Sequence, residues 1–87
     1  KEIWVKRLDH KEWAIAFVNM TQQPKKLNFD WPRHPIEDAL TGRRLNLNQH
    51  DYLVRDLFQH QDIGSTEENL QATIPGHDVL MVRLKIR

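Results

Sequence analysis

The sequence predicts an all-β fold, a small antiparallel β-sandwich of about six to eight strands with Greek-key or immunoglobulin-like topology. Segments rich in β-branched and aromatic residues recur along the 87 residues, and several alternate apolar and polar side chains as a half-buried strand does. Turn residues separate these segments at intervals of roughly 8 to 12 residues. The one helix-like pattern is weak and short, which argues against a helical fold.

Three predicted strands occupy the first third of the chain. Residues 2–7 (EIWVKR) form the first and end in a polar turn at residues 8–11. Residues 12–19 (EWAIAFVN) are apolar on both faces, which is typical of a strand that is central or covered on both sides. Residues 25–31 (KKLNFDW) alternate without a break and form the third. The turn at residues 21–24 predicts a hairpin between the second and third strands.

The middle of the chain is less regular, because Pro32 and Pro35 interrupt it. Residues 36–40 fit either a short strand or one helical turn. After a turn at Thr41-Gly42, residues 43–47 are predicted as a further short strand.

The C-terminal part ends in clear strands. Residues 59–69 are polar and contain a predicted turn centred on Ile63-Gly64. Pro75-Gly76 is a strong turn signal, and it predicts a hairpin between the last two strands. The predicted strands of this part are residues 52–58, 70–74 and 79–86.

Length indicates one domain, residues 1–87, with room for one small core. The chain starts at Lys1, without a methionine or a signal-like apolar stretch. We therefore expect it to be part of a longer protein.

Composition excludes several classes of function. Lys and Arg number 13 and Asp and Glu 12, so the net charge of +1 lacks the basic footprint of a dedicated nucleic-acid binder. The absence of cysteine excludes disulfides, thiolate metal sites and a cysteine nucleophile. No apolar run approaches the roughly 18 residues that a membrane-spanning helix needs, so no membrane partner is predicted.

No catalytic, cofactor or metal site is predicted. The five histidines lie in or beside predicted turns and form no metal-binding pair motif, so we expect solvated or locally hydrogen-bonded side chains. Four aspartates are candidates for the paired carboxylates of glycosidic chemistry, but surface groups or turn caps are the favoured interpretation. The histidines are His10, His34, His50, His60 and His77, and the aspartates are Asp30, Asp38, Asp56 and Asp62.

Two polar residues have more specific predictions. Asp56 shares the inward parity of Tyr52 and Val54, so we expect its carboxylate to cap backbone groups at the end of its strand. Asn19 begins an Asn-Met-Thr triplet that fits the N-glycosylation pattern, although such short matches are common.

The three tryptophans divide by parity. Trp13 and Trp31 continue apolar faces, which places them in the core. Trp4 has the opposite parity to Ile3 and Val5, so it is the best candidate for an exposed or interfacial ring.

Four segments together resemble a known family. The family begins with a Trp-bearing strand, a polar turn and a second strand ending in Asn, and a similar pattern is seen in EIWVKRLDHKEWAIAFVNMTQQP. The third strand follows as LNFDW. VRDLFQHQDIG and ATIPGHDVLMVRL resemble its Val-Arg-Asp-Leu-Trp motif and its terminal strand pair, with Phe58 in place of the motif's Trp. In this order the segments resemble the C-terminal β-sandwich domain of α-galactosidases of glycoside hydrolase family 27.

The resemblance implies a function for the parent protein. That protein would be a secreted, periplasmic or lysosomal retaining enzyme that removes terminal α-linked galactose from oligosaccharides or glycolipids. Its two catalytic aspartates would lie in a (β/α)₈ barrel upstream of Lys1, and none of them maps onto this chain. The sandwich would pack on the barrel and stabilise it, with Trp4 and Phe58 as candidate interface or sugar-stacking residues.

Three other functions stay open on the sequence. A carbohydrate-binding module predicts that Trp4, Trp31 or Tyr52 faces solvent. An independent small enzyme predicts turnover by the 87 residues alone. An immunoglobulin-type interaction sandwich lacks its usual Cys–Trp–Cys signature here.

Overall fold

The structure, a computed structural model, describes residues 3–87 and confirms the predicted all-β sandwich. Seven strands form two antiparallel sheets, and the helical segments among the described residues are two single-turn 3₁₀ helices, Asp9–Lys11 and Trp31–Arg33. The strands are β1 (Ile3–Arg7), β2 (Trp13–Val18), β3 (Lys25–Phe29), β4 (Tyr52–Asp56), β5 (Gln61–Ser65), β6 (Leu70–Ile74) and β7 (Val79–Ile86).

The two sheets differ in size. The larger has the strand order β1-β2-β7-β4-β5, and the smaller pairs β3 with β6. The chain therefore crosses between sheets four times. The prediction that the second strand is central is confirmed, because β2 lies between β1 and β7.

Both predicted hairpins are wrong. β2 does not pair with β3, because both of its edges are already occupied by β1 and β7. The turn at Pro75-Gly76 carries the chain from the small sheet to the large one, so β6 and β7 belong to different sheets and do not share a ladder. β3 pairs with β6 along its whole length.

Two further predictions are corrected. The polar segment after β4 contains a strand, β5, which pairs with β4 around an irregularity at Val54/Arg55. The predicted turn at Ile63-Gly64 is therefore a bulge, where Gly64 takes a φ of 144° that suits glycine. Residues 36–47 form turns with one isolated bridge, Glu37↔Arg44, and no regular strand.

The core lies between the sheets. Trp13 and Trp31 are buried in this core, as predicted, and Tyr52 and Val54 point inward as their parity predicted. Phe29 packs edge-to-face against both Phe17 and Trp31, with ring centroids 5.1 and 4.9 Å apart. The buried apolar residues are Trp13, Ile15, Phe17, Phe29, Trp31, Ile36, Tyr52, Val54, Leu70, Ile74, Val82 and Leu84.

Asn19 joins the loop after β2 to the turn before β7. Its side chain is 1% exposed. The amide Nδ2 donates to the carbonyls of Gln23 (2.8 Å), Ile74 (2.9 Å) and Pro75 (3.2 Å), while Oδ1 accepts from the N–H and hydroxyl of Thr21. This single residue therefore links two of the four connections that carry the chain between the sheets.

Candidate functional site

The outer face of the large sheet carries a row of apolar side chains. Trp4 on β1 lies opposite Ala16 on β2, and Ala16 lies opposite Met81 on β7. Leu57 extends the row beyond β4, because its N–H donates to the carbonyl of Met81 at 3.0 Å. In the next row on the same face, Val18 and Val79 are paired. We call Trp4, Ala16, Val18, Leu57, Val79 and Met81 the apolar patch.

The apolar patch is uncovered in the described part of the chain. Trp4 is 65% exposed, which confirms the parity prediction. Ala16, Val18 and Met81 lie on interior strands and are nevertheless only partly buried, while their inward neighbours Ile15, Phe17 and Val82 are buried. An interior strand whose outward residues are apolar is typical of a sheet that another structural layer covers.

The other half of this face is charged. Arg55 and Arg83 lie directly opposite each other, which is unfavourable for like charges unless each has a counter-charge. Arg83 is ion-paired with Glu12, and Arg55 with Asp62 at 3.2 Å. Because Lys6 and Lys85 add two further exposed cations, this charged half carries two more cations than carboxylates. Its charged residues are Lys6, Glu12, Arg55, Asp62, Arg83 and Lys85, and the partly buried Leu53 lies among them.

The outer face of the small sheet is polar. Lys26 is paired with Thr73 across the strands, and Asn28 with Gln71. All four side chains are exposed. This composition is typical of a face in contact with water.

The candidate aromatic residues do not form one platform. Phe58 is 60% exposed, in the turn after β4, whereas Trp4 lies on β1. Three strand spacings, about 14 Å, separate these strands in the sheet. Trp31 and Tyr52 are buried, so of the three rings that a carbohydrate-binding module would expose, Trp4 alone is exposed. Burial raises the pKa of the Tyr52 hydroxyl above its usual range.

The four candidate carboxylates lie on different elements and each has a local partner. Asp56 confirms its predicted capping role, because its Oδ1 accepts the N–H groups of Phe58 (2.9 Å) and Gln59 (3.1 Å). Asp30 is ion-paired with Arg33 at 3.4 Å. Asp62 belongs to the charged half described above.

Asp38 is the most enclosed of the four. Its carboxylate accepts the N–H of Leu40 at 2.9 Å and that of Arg7 at 3.3 Å, so it fastens the middle loop to β1. The hydrogen bond from the Leu40 N–H is the main cause that holds the pKa of Asp38 below its ordinary value. Its role is that of a turn cap.

Acid unfolding should reveal this contribution of Asp38. Because the pKa is lower in the folded state, the stabilisation is complete above the ordinary pKa of 3.8 and is lost as the pH falls through the lowered value. From about pH 5 downward, the free energy of unfolding should therefore fall more steeply for the wild type than for Asp38→Asn. Urea unfolding between pH 6 and pH 3 measures this difference, and parallel curves would contradict it.

The histidines occupy turns and loops, as predicted. His10, His60 and His77 take positive φ values of 61°, 55° and 54°, which are turn conformations. Among residues 3–87, no group of three or more His, Asp or Glu side chains could hold a metal ion. No helix within the same range is long and apolar enough to cross a membrane.

The glycosylation pattern at Asn19 does not mark an accessible site. The amide nitrogen that would carry a glycan is buried and donates hydrogen bonds to backbone carbonyls. The triplet instead supplies the turn itself, because the Thr21 hydroxyl donates to Asn19 Oδ1 at 2.6 Å.

Sequence patterns revealed only part of this face. The apolar outer parity of β2 and the opposite parity of Trp4 were visible in the sequence. The row Trp4–Ala16–Met81 was not, because it depends on the register of strands distant in the chain. The available sequence signal for β7 was that Val79, Met81 and Arg83 occupy every second position and therefore share one face of the strand.

Comparison with known proteins identifies the chain as similar to a single β-sandwich domain of longer proteins. The family model described as the α-galactosidase C-terminal β-sandwich domain matches residues 1–84. The chain is 28% identical over 86 residues to α-galactosidase A of Cellvibrio japonicus, and this alignment covers 99% of the chain. The chain spans only 21% of that relative.

Solved structures share the fold. A β-L-arabinopyranosidase of glycoside hydrolase family 27 from Geobacillus stearothermophilus aligns with a TM-score of 0.69 at 15% identity, over 98% of this chain and 17% of that one. α-Galactosidase I of Mortierella vinacea aligns with a TM-score of 0.68 at 16% identity, over 97% of this chain and 20% of that one. Since the family model covers nearly the whole sequence, this chain belongs to the family of α-galactosidase C-terminal β-sandwich domains.

Proposed function

We propose that the chain is a non-catalytic accessory domain that packs on the catalytic domain of an α-galactosidase-like glycoside hydrolase and stabilises it. The observation that carries this proposal is the family match over residues 1–84, combined with a span of only 21% of a relative named α-galactosidase A. The remaining four fifths of such a protein has ample length for a separate catalytic barrel.

The side chains of the described residues also support a non-catalytic role for this domain. The candidate aspartates cap turns or pair with arginines on separate elements, whereas glycosidic chemistry needs two carboxyl groups about 5 to 10 Å apart in a cleft that holds the sugar. The full protein would accordingly supply the catalytic aspartates from the barrel and remove terminal α-linked galactose.

Truncation tests this proposal. We expect the full-length protein to hydrolyse an aryl α-galactoside, and the 87-residue chain alone to show no turnover. Removal of residues 1–87 should shorten the half-life of activity at elevated temperature by about tenfold or more, because an interdomain interface is lost. Turnover by the isolated chain, or an unchanged half-life after truncation, would contradict the proposal.

A second candidate function is carbohydrate binding, and the exposure of Trp4 and Phe58 favours it. Exposed aromatic rings can stack on the apolar faces of sugars. Titration of the full-length protein with galacto-oligosaccharides tests this, with Trp4→Ala and Phe58→Ala as matched variants. Binding outside the active site that is weakened by either substitution would support this function, and identical binding by all three proteins would exclude it for these residues.

A further inference from the structure

We propose that the apolar patch is the surface through which this domain docks on the catalytic domain of the same polypeptide, with Trp4 as its anchor. This inference rests on the proposed function and specifies which of the two outer faces carries it out. It also specifies the chemistry of the opposing surface.

The two outer faces of the sandwich differ in polarity. The small sheet presents Lys26, Asn28, Gln71 and Thr73 to solvent, all of them polar. The apolar patch brings together a tryptophan, a methionine, two valines, a leucine and an alanine on the large sheet. A contiguous apolar surface of this kind marks an interaction site, and tryptophan is enriched among the residues that dominate binding energy.

The first strand, β1, carries one end of the apolar patch. The family is a C-terminal domain, so in its members the rest of the polypeptide precedes β1. Trp4 lies in β1, at an edge of the large sheet, and the patch extends inward from that edge. A preceding domain is therefore tethered next to the patch, which favours this occupant over an unlinked partner through a high effective concentration.

Charged residues border the apolar patch on the same sheet. Domain and protein interfaces usually have an apolar centre and a polar rim. Next to the patch lies the charged half of the same face, where cations outnumber carboxylates by two. The complementary surface of the catalytic domain should therefore be apolar opposite Trp4 and Met81, and acidic or rich in carbonyl groups opposite Arg55 and Arg83.

Two matched substitutions in the full-length protein test this assignment. Ala16→Arg introduces a long charged side chain in the middle of the apolar patch, and Thr73→Arg introduces the same side chain on the outer face of the small sheet. We expect Ala16→Arg to lower the temperature at which activity is lost by about 5 °C or more, and Thr73→Arg to leave it unchanged. Should Ala16→Arg prevent folding, Met81→Lys, placed on the same row, replaces it.

The outcomes separate this inference from the proposed function. If Thr73→Arg lowers the temperature and Ala16→Arg does not, docking uses the small sheet, and the inference is overturned while the accessory role stands. If neither variant has an effect but truncation does, the patch is again excluded. If Ala16→Arg instead dissociates a dimer, as measured by light scattering, the occupant is a second copy and the inference is wrong. If truncation itself has no effect, the proposed function fails.

Discussion

Replacing Asn19 by alanine is expected to destabilise this domain by about 3 kcal/mol or more, because it removes the hydrogen bonds that a buried amide makes to the backbone of two connections. The side chain is 1% exposed, and its amide donates to three carbonyls from two different connections. Water cannot easily replace these bonds at a buried site. Against a typical stability of about 5 to 15 kcal/mol, this loss is large for a small domain.

Urea unfolding followed by tryptophan fluorescence measures the effect, since Trp13 and Trp31 are buried. Asn46→Ala is the matched control, because Asn46 Oδ1 likewise accepts two hydrogen bonds, from the N–H groups of Asn48 and Gln49, but the residue lies on the exposed surface. We expect the control to cost less than about 1 kcal/mol. Asn19→Asp should be at least as damaging as Asn19→Ala, because a carboxylate cannot donate to the three carbonyls. Equal losses for Asn19→Ala and Asn46→Ala would contradict the account of this junction.

Gly76→Ala is expected to have the second largest effect, a loss of about 2 to 3 kcal/mol. A Cβ atom at this position would lie 2.2 Å from the carbonyl oxygen of Gln22, which is backbone and has little freedom to move. The neighbouring residue, His77, also joins the two loops, because its N–H donates to the Thr21 carbonyl at 2.9 Å. The substitution therefore separates two connections that the structure keeps in contact.

Gly42→Ala is the control for this prediction. A Cβ atom at Gly42 would meet nothing within 4 Å, but its φ of +71° favours glycine. Its expected cost is therefore the conformational one alone, about 1 kcal/mol. Chemical denaturation of both variants separates the steric effect from the conformational one. A smaller loss for Gly76→Ala than for Gly42→Ala would show that the two loops are not packed as described.

The sequence predicted which side chains of a strand face the core, because this depends only on local periodicity. The inward parity of Trp13 and the opposite parity of Trp4 both follow from strand geometry, and the structure confirms them. Strand partners could not be obtained in this way. A turn signal such as Pro75-Gly76 predicts that the chain reverses, but it does not determine which sheet receives the next strand.

The same limit applies to the site. Asn19 was noticed for its glycosylation pattern, whereas its structural role depends on Ile74 and Pro75, which lie 55 and 56 residues away. The row Trp4–Ala16–Met81 likewise joins strands from both ends of the chain. Such long-range register is set by packing of the whole sandwich, and it leaves little trace in any single segment.

Radical footprinting of the full-length protein tests the central claim most directly, because it measures the accessibility of each side chain. The labelling rate of Trp4 in the native protein is compared with its rate after denaturation, and Phe58 serves as an aromatic reference of similar exposure, 60% against 65% for Trp4. If this domain docks through the apolar patch, Trp4 should be protected about as strongly as the buried Trp13, while Phe58 remains accessible. Labelling of Trp4 at a rate typical of an exposed ring would contradict the account.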